Sequence, residues 1–284
     1  MPSHSVVGAF NQVTVPLFEL DETGAVKPNP LFHRPWDKLH SRCIEYPFAA
    51  SQVGSAQSIL DVGTVKSDPA WIAWLESLPI DVHATDYDKP TKPFCNVIFY
   101  QADVRELPIP DNRFDKIMAV SVVEHIGLRD PQVVSDVLPP YSAGGDVEAV
   151  RELVRVLKTG GSLIMTLPFG LHDGLILEGS TRCYTIDSIR KFEAIAEPVF
   201  LHYYEYQYSH YMNNYPEYIP NKSLVRRLRE RFLKKSREIV GPQKASHLPE
   251  QQGVVTWRRI PMENTGATHY KHTDGIICGV WRKR

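Results

Sequence analysis

The chain has 284 residues, 43% of them hydrophobic, with 32 lysines and arginines against 33 aspartates and glutamates, so its formal charge is −1. This excludes a disordered chain and any general pull toward nucleic acid or membrane, and an anionic partner would need a local patch. Four scattered cysteines without a C-x-x-C pair argue against a zinc ribbon, a redox dithiol and a disulfide framework, no metal-ligand set stands out, and no apolar run nears the ~20 residues that span a bilayer.

Residues 1–57 read as a proline-rich leader or cap with no signal-peptide pattern, which makes a cytoplasmic protein the expectation. A short helix is expected between Pro35 and Tyr46, with Trp36, Leu39, Cys43 and Ile44 on one face, and the leader is expected to pack over the mouth of the next domain. From Ser58 strands alternate with helices. Ser58–Gly63 is a short buried strand that runs into a turn. Asp68-Pro69 is a helix start, because Asp caps the free amides and Pro suits the first helical position. That helix carries Trp71, Ile72, Trp74, Leu75 and Leu78. Strands are expected at 81–85, 97–101, 115–121 and 162–167. A helix is expected over 146–157, where Val147, Val150, Leu153, Val154 and Leu157 recur at helical spacing before a Lys158-Thr159-Gly160-Gly161 stop. Another helix follows at 186–196, and two later strands at 199–206 and 275–281.

This order predicts an α/β fold: a doubly wound, seven-stranded, mostly parallel sheet. The leader 1–57 precedes it, and 207–274 is an insertion between the last two strands of a 58–284 domain. The insertion holds a tyrosine-rich tract and a basic helix over 221–240, whose contact with a membrane surface or a phosphate is the less favoured use of such a face. The long 129–145 connection is a natural lid or substrate wall.

In an open α/β sheet ligands bind beyond the carboxyl ends of the strands. Asp61 and Gly63 end the first strand, Asp86 the second, and Asp103 follows the third. A carboxylate at Asp86 suits two ribose hydroxyls, and Asp103 suits an exocyclic adenine amine. The turn Gly63-Thr64-Val65-Lys66-Ser67 has a single glycine and lacks the G-x-G-x-x-G cradle for a pyrophosphate. The site therefore looks built for a ribose and a base without a diphosphate. Asp115 is read as a turn cap.

Five segments carry a family resemblance: Ile59-Leu60-Asp61-Val62-Gly63, Thr85-Asp86, Ala102-Asp103 with Leu107 to Asp115, Ser121-Val122-Val123-Glu124-His125-Ile126, and Arg155 to Leu163. In this order the chain resembles class I S-adenosylmethionine-dependent methyltransferases, most closely those with small-molecule and glycan-like substrates. The resemblance implies S-adenosyl-L-methionine as cofactor. It places Asp61 and Gly63 on the methionine side, Asp86 on the ribose, Tyr87 against the adenine, Asp103 on the adenine amine with Val104 beside the ring, and Ser121 and Val122 at the sulfonium.

Methyl transfer needs an aligned nucleophile and, for a hydroxyl, a base. His125, Glu124 and His172 are the candidates for that chemistry, with Asp173, Arg182 and Tyr184 as candidate acceptor contacts. The expectation is methyl transfer to a small-molecule or saccharide-like acceptor, with oxygen favoured and no nucleic-acid partner. The alternatives are an NAD-dependent oxidoreductase on a related fold, which the lone glycine disfavours, and a catalytically silent cofactor- or partner-binding module.

Overall fold

The computed structural model describes residues 18–27, 29, 31–32, 41–129, 140–170, 173–207, 256–260 and 275–284. His172, the Trp36 and Leu39 positions, Tyr208 to Tyr218 and the basic 221–240 stretch lie outside the described residues.

An eight-stranded sheet forms the centre of the molecule. Its strands are β1 (Ser58–Val62), β2 (Asp81–Asp86), β3 (Val97–Gln101), β4 (Phe114–Val120), β5 (Leu157–Phe169), β8 (Glu197–Gln207), β9 (Thr256–Ile260) and β10 (Gly275–Arg282), with β6 (Gly174–Ile176) and β7 (Thr181–Cys183) in a separate hairpin. The order across the sheet is β3-β2-β1-β4-β5-β10-β8-β9. The pairings from β3 through to β5 are parallel, whereas β10 runs antiparallel to both its neighbours and β9 antiparallel to β8. The eighth strand corrects the expected seven. It lies inside the stretch read as an insertion, and buried Trp257 anchors it to the core.

The sheet separates two apolar cores. On one face packs α3 (Gly145–Val156), which buries Ala149, Val150, Leu153 and Val154. Each of the valine and leucine side chains contributes roughly 1.5–3 kcal/mol on burial. The other face carries α1 (Arg42–Ser51) and α2 (Pro69–Ser77). Asp68 caps α2 by accepting the Ala70 amide at 2.7 Å, and Trp71, Trp74 and Leu75 form its buried stripe. β1 is buried along its whole length, as a central parallel strand must be.

Three local expectations are corrected. The described leader helix, Arg42–Ser51, continues past the expected end at Tyr46 and runs through Pro47, because Phe48, Ala49 and Ala50 beyond it are buried against the sheet. The 186–196 segment forms a 3-10 stretch, Ser188–Ala194, with only Ile189 and Phe192 buried, three positions apart. The Gly160-Gly161 pair does not stop α3, which ends at Val156. It sits inside β5, where Gly160 adopts φ 76° and an added Cβ on Gly161 would meet the Asp115 carbonyl oxygen at 2.9 Å. Among the described residues no helix is long and apolar enough to cross a membrane.

Candidate functional site

One cleft lies across the carboxyl ends of β1 to β4, with about 1140 Å³ of empty space open to solvent. The chain steps from β1 outward to β2 and β3, then returns to place β4 on the other flank of β1. This reversal opens a crevice between β1 and β4, where an open α/β sheet binds its ligand. The turns after the four strands line it, together with Arg42 and Tyr46 from α1.

The β1 turn is shaped by backbone conformation. Gly63 adopts φ 79° and donates its amide to the Thr85 carbonyl at 2.8 Å. A Cβ there would stand 2.8 Å from Val122 Cγ2, so the position demands glycine for two separate reasons. Asp61, two residues earlier, does not line the cleft. Its carboxyl is turned into the protein, where it accepts Thr64 Oγ1 at 2.6 Å and Trp71 Nε1 at 3.2 Å, and burial pushes its pKa up to about 7. The expected direct contact on the methionine side is thus corrected: the β1 turn and α2 already hold the group.

Asp86 stands at the cleft wall. One oxygen accepts the Val65 amide at 2.8 Å and the other the Asp88 amide at 3.0 Å, while burial raises its pKa. Each oxygen keeps acceptor capacity, as two neighbouring hydroxyls require. Beside it Lys66 pairs with buried Asp88 at 2.7 Å. Tyr87, Asp103 and Val104 also line the cleft. Arg105 clasps the Asp103 carboxylate, with Nη2 at 2.6 Å from Oδ2 and Nε at 3.0 Å from Oδ1. Burial raises the pKa of Asp103, but the Arg105 contacts outweigh it and hold the group low. With the Arg105 amide added at 3.0 Å, these contacts take up much of the acceptor capacity of a carboxylate that still lines the cleft.

At the end of β4 the chain turns sharply through Ser121, a non-glycine residue at φ 49°, whose amide is held by the Thr166 carbonyl and hydroxyl, both at 3.1 Å. Strain of this kind persists only where surrounding contacts fix it. Ser121 Oγ donates to Glu124 Oε1 at 2.5 Å. Glu124 is fully buried, its pKa is raised by that burial, and its Oε2 has no hydrogen-bond partner among the described residues. His125 lines the cleft. Its Nδ1 lies 2.9 Å from the Ser180 carbonyl, which requires a hydrogen on Nδ1 and makes Nε2 the basic nitrogen of the neutral ring. Nε2 lies 3.9 Å from Glu124 Oε1. Across from this turn, Arg42 hydrogen-bonds to buried Glu45, and Glu45 Oε1 accepts Thr166 Oγ1 at 2.9 Å.

The structure places the three candidate acceptor contacts away from the cleft lining. Arg182 is buried and spends its guanidinium on the carbonyls of Glu124, Ile126, Ser142 and Ala143, with Asp146 3.7 Å from Nε. Tyr184 is fully buried and donates to Asp146 Oδ2 at 2.9 Å. Both brace the turn after β4 instead of meeting an acceptor. Asp173 is exposed beside the β6–β7 hairpin. Arg42 and Tyr46 were missed as cleft residues because nothing in a proline-rich leader indicates which helical turn reaches the site. Lys66 and Arg105 were missed because only the fold shows that their carboxylate partners are cleft residues.

Residues 60–165 match a family described as a methyltransferase domain. A stretch of 90 residues is 31% identical to the ubiquinone/menaquinone biosynthesis C-methyltransferase UbiE of Pseudomonas paraeruginosa (strain DSM 24068 / PA7), covering 32% of this chain and 28% of that protein. Among solved structures, the Burkholderia thailandensis 1,6-didemethyltoxoflavin-N1-methyltransferase, with bound 1,6-didemethyltoxoflavin and S-adenosylhomocysteine, matches at TM-score 0.45 and 12% identity over 87% of this chain and 80% of that one. The [4+2]-cyclase SpnF matches at TM-score 0.48 and 15% identity over 98% of this chain and 92% of that one.

Proposed function

We propose that this protein, whose residues 60–165 form a class I S-adenosylmethionine-dependent methyltransferase domain, transfers a methyl group to a small-molecule acceptor. The observation that supports it most is a cleft at the β1/β4 crevice, with a ribose-suited carboxylate at Asp86, a glycine-dependent close approach at Gly63 and no phosphate cradle. The donor set fits the cofactor: Asp86 for ribose hydroxyls, Tyr87 and Val104 for the faces of a base, and Ser121 and Val122 beside the reacting end. When bound, the cofactor supplies a methyl group already activated by a cationic sulfur.

The chain's own task is then to exclude water, align the acceptor and move one proton. His125 Nε2 is suited to accept that proton, and the Ser180 carbonyl fixes the tautomer that leaves it basic. The imidazolium so formed faces Glu124 at 3.9 Å. A base in this place favours an oxygen acceptor whose proton must leave, and a saccharide-like hydroxyl is one such group. His172 lies outside the described residues, and Asp173 has no cleft contact to support a role.

The test is the melting temperature with S-adenosylmethionine, S-adenosylhomocysteine or NAD. Ligand at about 100 times its Kd should stabilise by roughly 2.7 kcal/mol. We expect a rise with either adenosyl ligand, none with NAD, and loss of the rise in Asp86→Ala. A shift with NAD alone would reverse the reading in favour of an oxidoreductase.

A further inference from the structure

We propose that Glu124, buried directly behind the cleft lining at Ser121 and His125, senses charge in the cleft: it is neutral when no cation is bound, and it releases its proton when the cationic cofactor arrives. The site then grips S-adenosylmethionine more tightly than the uncharged S-adenosylhomocysteine, which favours product release. This rests on the methyltransferase reading above.

The geometry of the carboxyl carries the inference. An ionised, fully buried carboxylate needs donors at both oxygens. Oε1 has one, Ser121 Oγ at 2.5 Å, and Oε2 has none among the described residues. A neutral acid protonated on Oε1 needs one acceptor there, and the Ser121 hydroxyl, 2.5 Å away, turns to accept that proton. The surrounding charges agree. From α1, Arg42 and Glu45 face the group as a hydrogen-bonded pair of opposite charges. From its own turn, His125 Nε2 stands 3.9 Å away. From β7 and the residue after it come Arg182, which donates to the Glu124 carbonyl at 3.3 Å, and Tyr184, whose phenol is pushed well up by burial and by nearby acids that include Glu124. Arg42 pairs with Glu45, and Arg182 stands 3.7 Å from Asp146, so among the described residues no permanent cation pairs directly with a Glu124 carboxylate. A cation held in the cleft beside Ser121 and His125 supplies the missing balance.

Atoms and charge close over a cycle. Cofactor binding sends the Glu124 proton to solvent and leaves a carboxylate facing a cation. On transfer to a hydroxyl, the acceptor O–H bond breaks and an O–CH3 bond forms, while the S–C bonding pair stays with sulfur, which becomes neutral. His125 Nε2 takes the acceptor proton and passes it toward Glu124 Oε1, restoring the neutral acid as the cationic charge disappears.

Isothermal titration calorimetry of the full chain at about pH 7, in two buffers of different ionisation enthalpy, reads the protons exchanged on binding. The expected result is up to about one more proton released with S-adenosylmethionine than with S-adenosylhomocysteine. Glu124→Gln should abolish that difference and cut the affinity ratio of the two ligands roughly tenfold, the equivalent of one pKa unit. His125→Asn should retain it, which assigns the proton to Glu124. Equal proton counts for the two ligands in the unaltered protein, a comparison that needs no variant to fold, overturn the proposal and leave the methyltransferase reading intact. A difference that survives in Glu124→Gln overturns it as well. Absence of binding by either ligand removes the parent reading and this inference together.

Discussion

Asp61 behaves in this fold as a buried acid: burial outweighs the two donors that hold it and favours the neutral form. Thr64 and Trp71 satisfy it, and burial lifts its pKa to about 7. An asparagine would keep both contacts: Oδ1 accepts from Trp71, Nδ2 donates to Thr64, and the Thr64 hydroxyl turns to the Asp61 carbonyl, 3.3 Å away. Asp61→Asn should therefore raise unfolding free energy by about 1–3 kcal/mol at pH 8, where the aspartate has to ionise. Urea unfolding at that pH checks it, and a loss of stability would mean the carboxylate is needed charged. At Gly63 the expectation has the opposite sign. Gly63→Ala places an L side chain at φ 79° and drives Cβ into Val122, costing about 1–2 kcal/mol from the left-handed backbone before the clash is counted. The displaced Val122 should also narrow the cleft, so S-adenosylhomocysteine binding should weaken with it. The double variant with Val122→Ala should recover part of the binding and not the backbone cost.

Between elements, Arg182 ties the turn after β4 to the start of α3. It reaches carbonyls on both segments and stands against Asp146 in the first turn of α3. Removing a buried guanidinium leaves several acceptors without donors at once. Arg182→Met should lower unfolding free energy by about 2–4 kcal/mol. Arg182→Lys should not restore it, since a point ammonium cannot span the positions a planar fork reaches. Because these carbonyls hold the segment that carries Glu124 and His125, the variant should also weaken cofactor binding without touching the ligand. A near-neutral effect in chemical denaturation would show that water replaces the guanidinium. The same turn explains why β7, a three-residue strand, matters: Ser180 at its edge sets the His125 tautomer.

Across the whole molecule two titrations oppose each other. The folded pKa of Asp61 is raised, so its stabilisation is complete below the ordinary 3.8 and is lost as pH rises through about 7. His202, stacked on Phe200 at 4.6 Å, is depressed from 6.5 to about 4, first by burial and then by Arg259, so its stabilisation is complete above 6.5 and is lost as pH falls toward 4. Between about pH 4 and 6.5 the two slopes have opposite signs. Melting temperature should therefore vary less with pH in the native protein than in either variant. Asp61→Asn should make stability rise with pH over that window, and His202→Asn should make it fall. Parallel profiles for all three proteins would deny the compensation.

The sequence by itself determined the layered α/β architecture, the place of α2 and α3, and the strand tips that carry Asp86, Tyr87, Val104, Ser121 and His125 to one cleft. Those features are local: apolar periodicity sets an element, and a cap, a glycine or a carboxylate marks its end. Only the tertiary structure decided which way each side chain at those tips points and what it meets. Asp61 turned inward because Trp71, on the next helix, offers a donor there, and Asp103 was claimed by Arg105 two residues on. Arg182 and Tyr184 became braces because α3 brings the buried Asp146 to them. The eighth strand and the reach of α1 to the cleft likewise depended on residues distant in the chain. A buried polar group is settled by whichever partner the fold delivers, and that competition is invisible along a single strand of sequence.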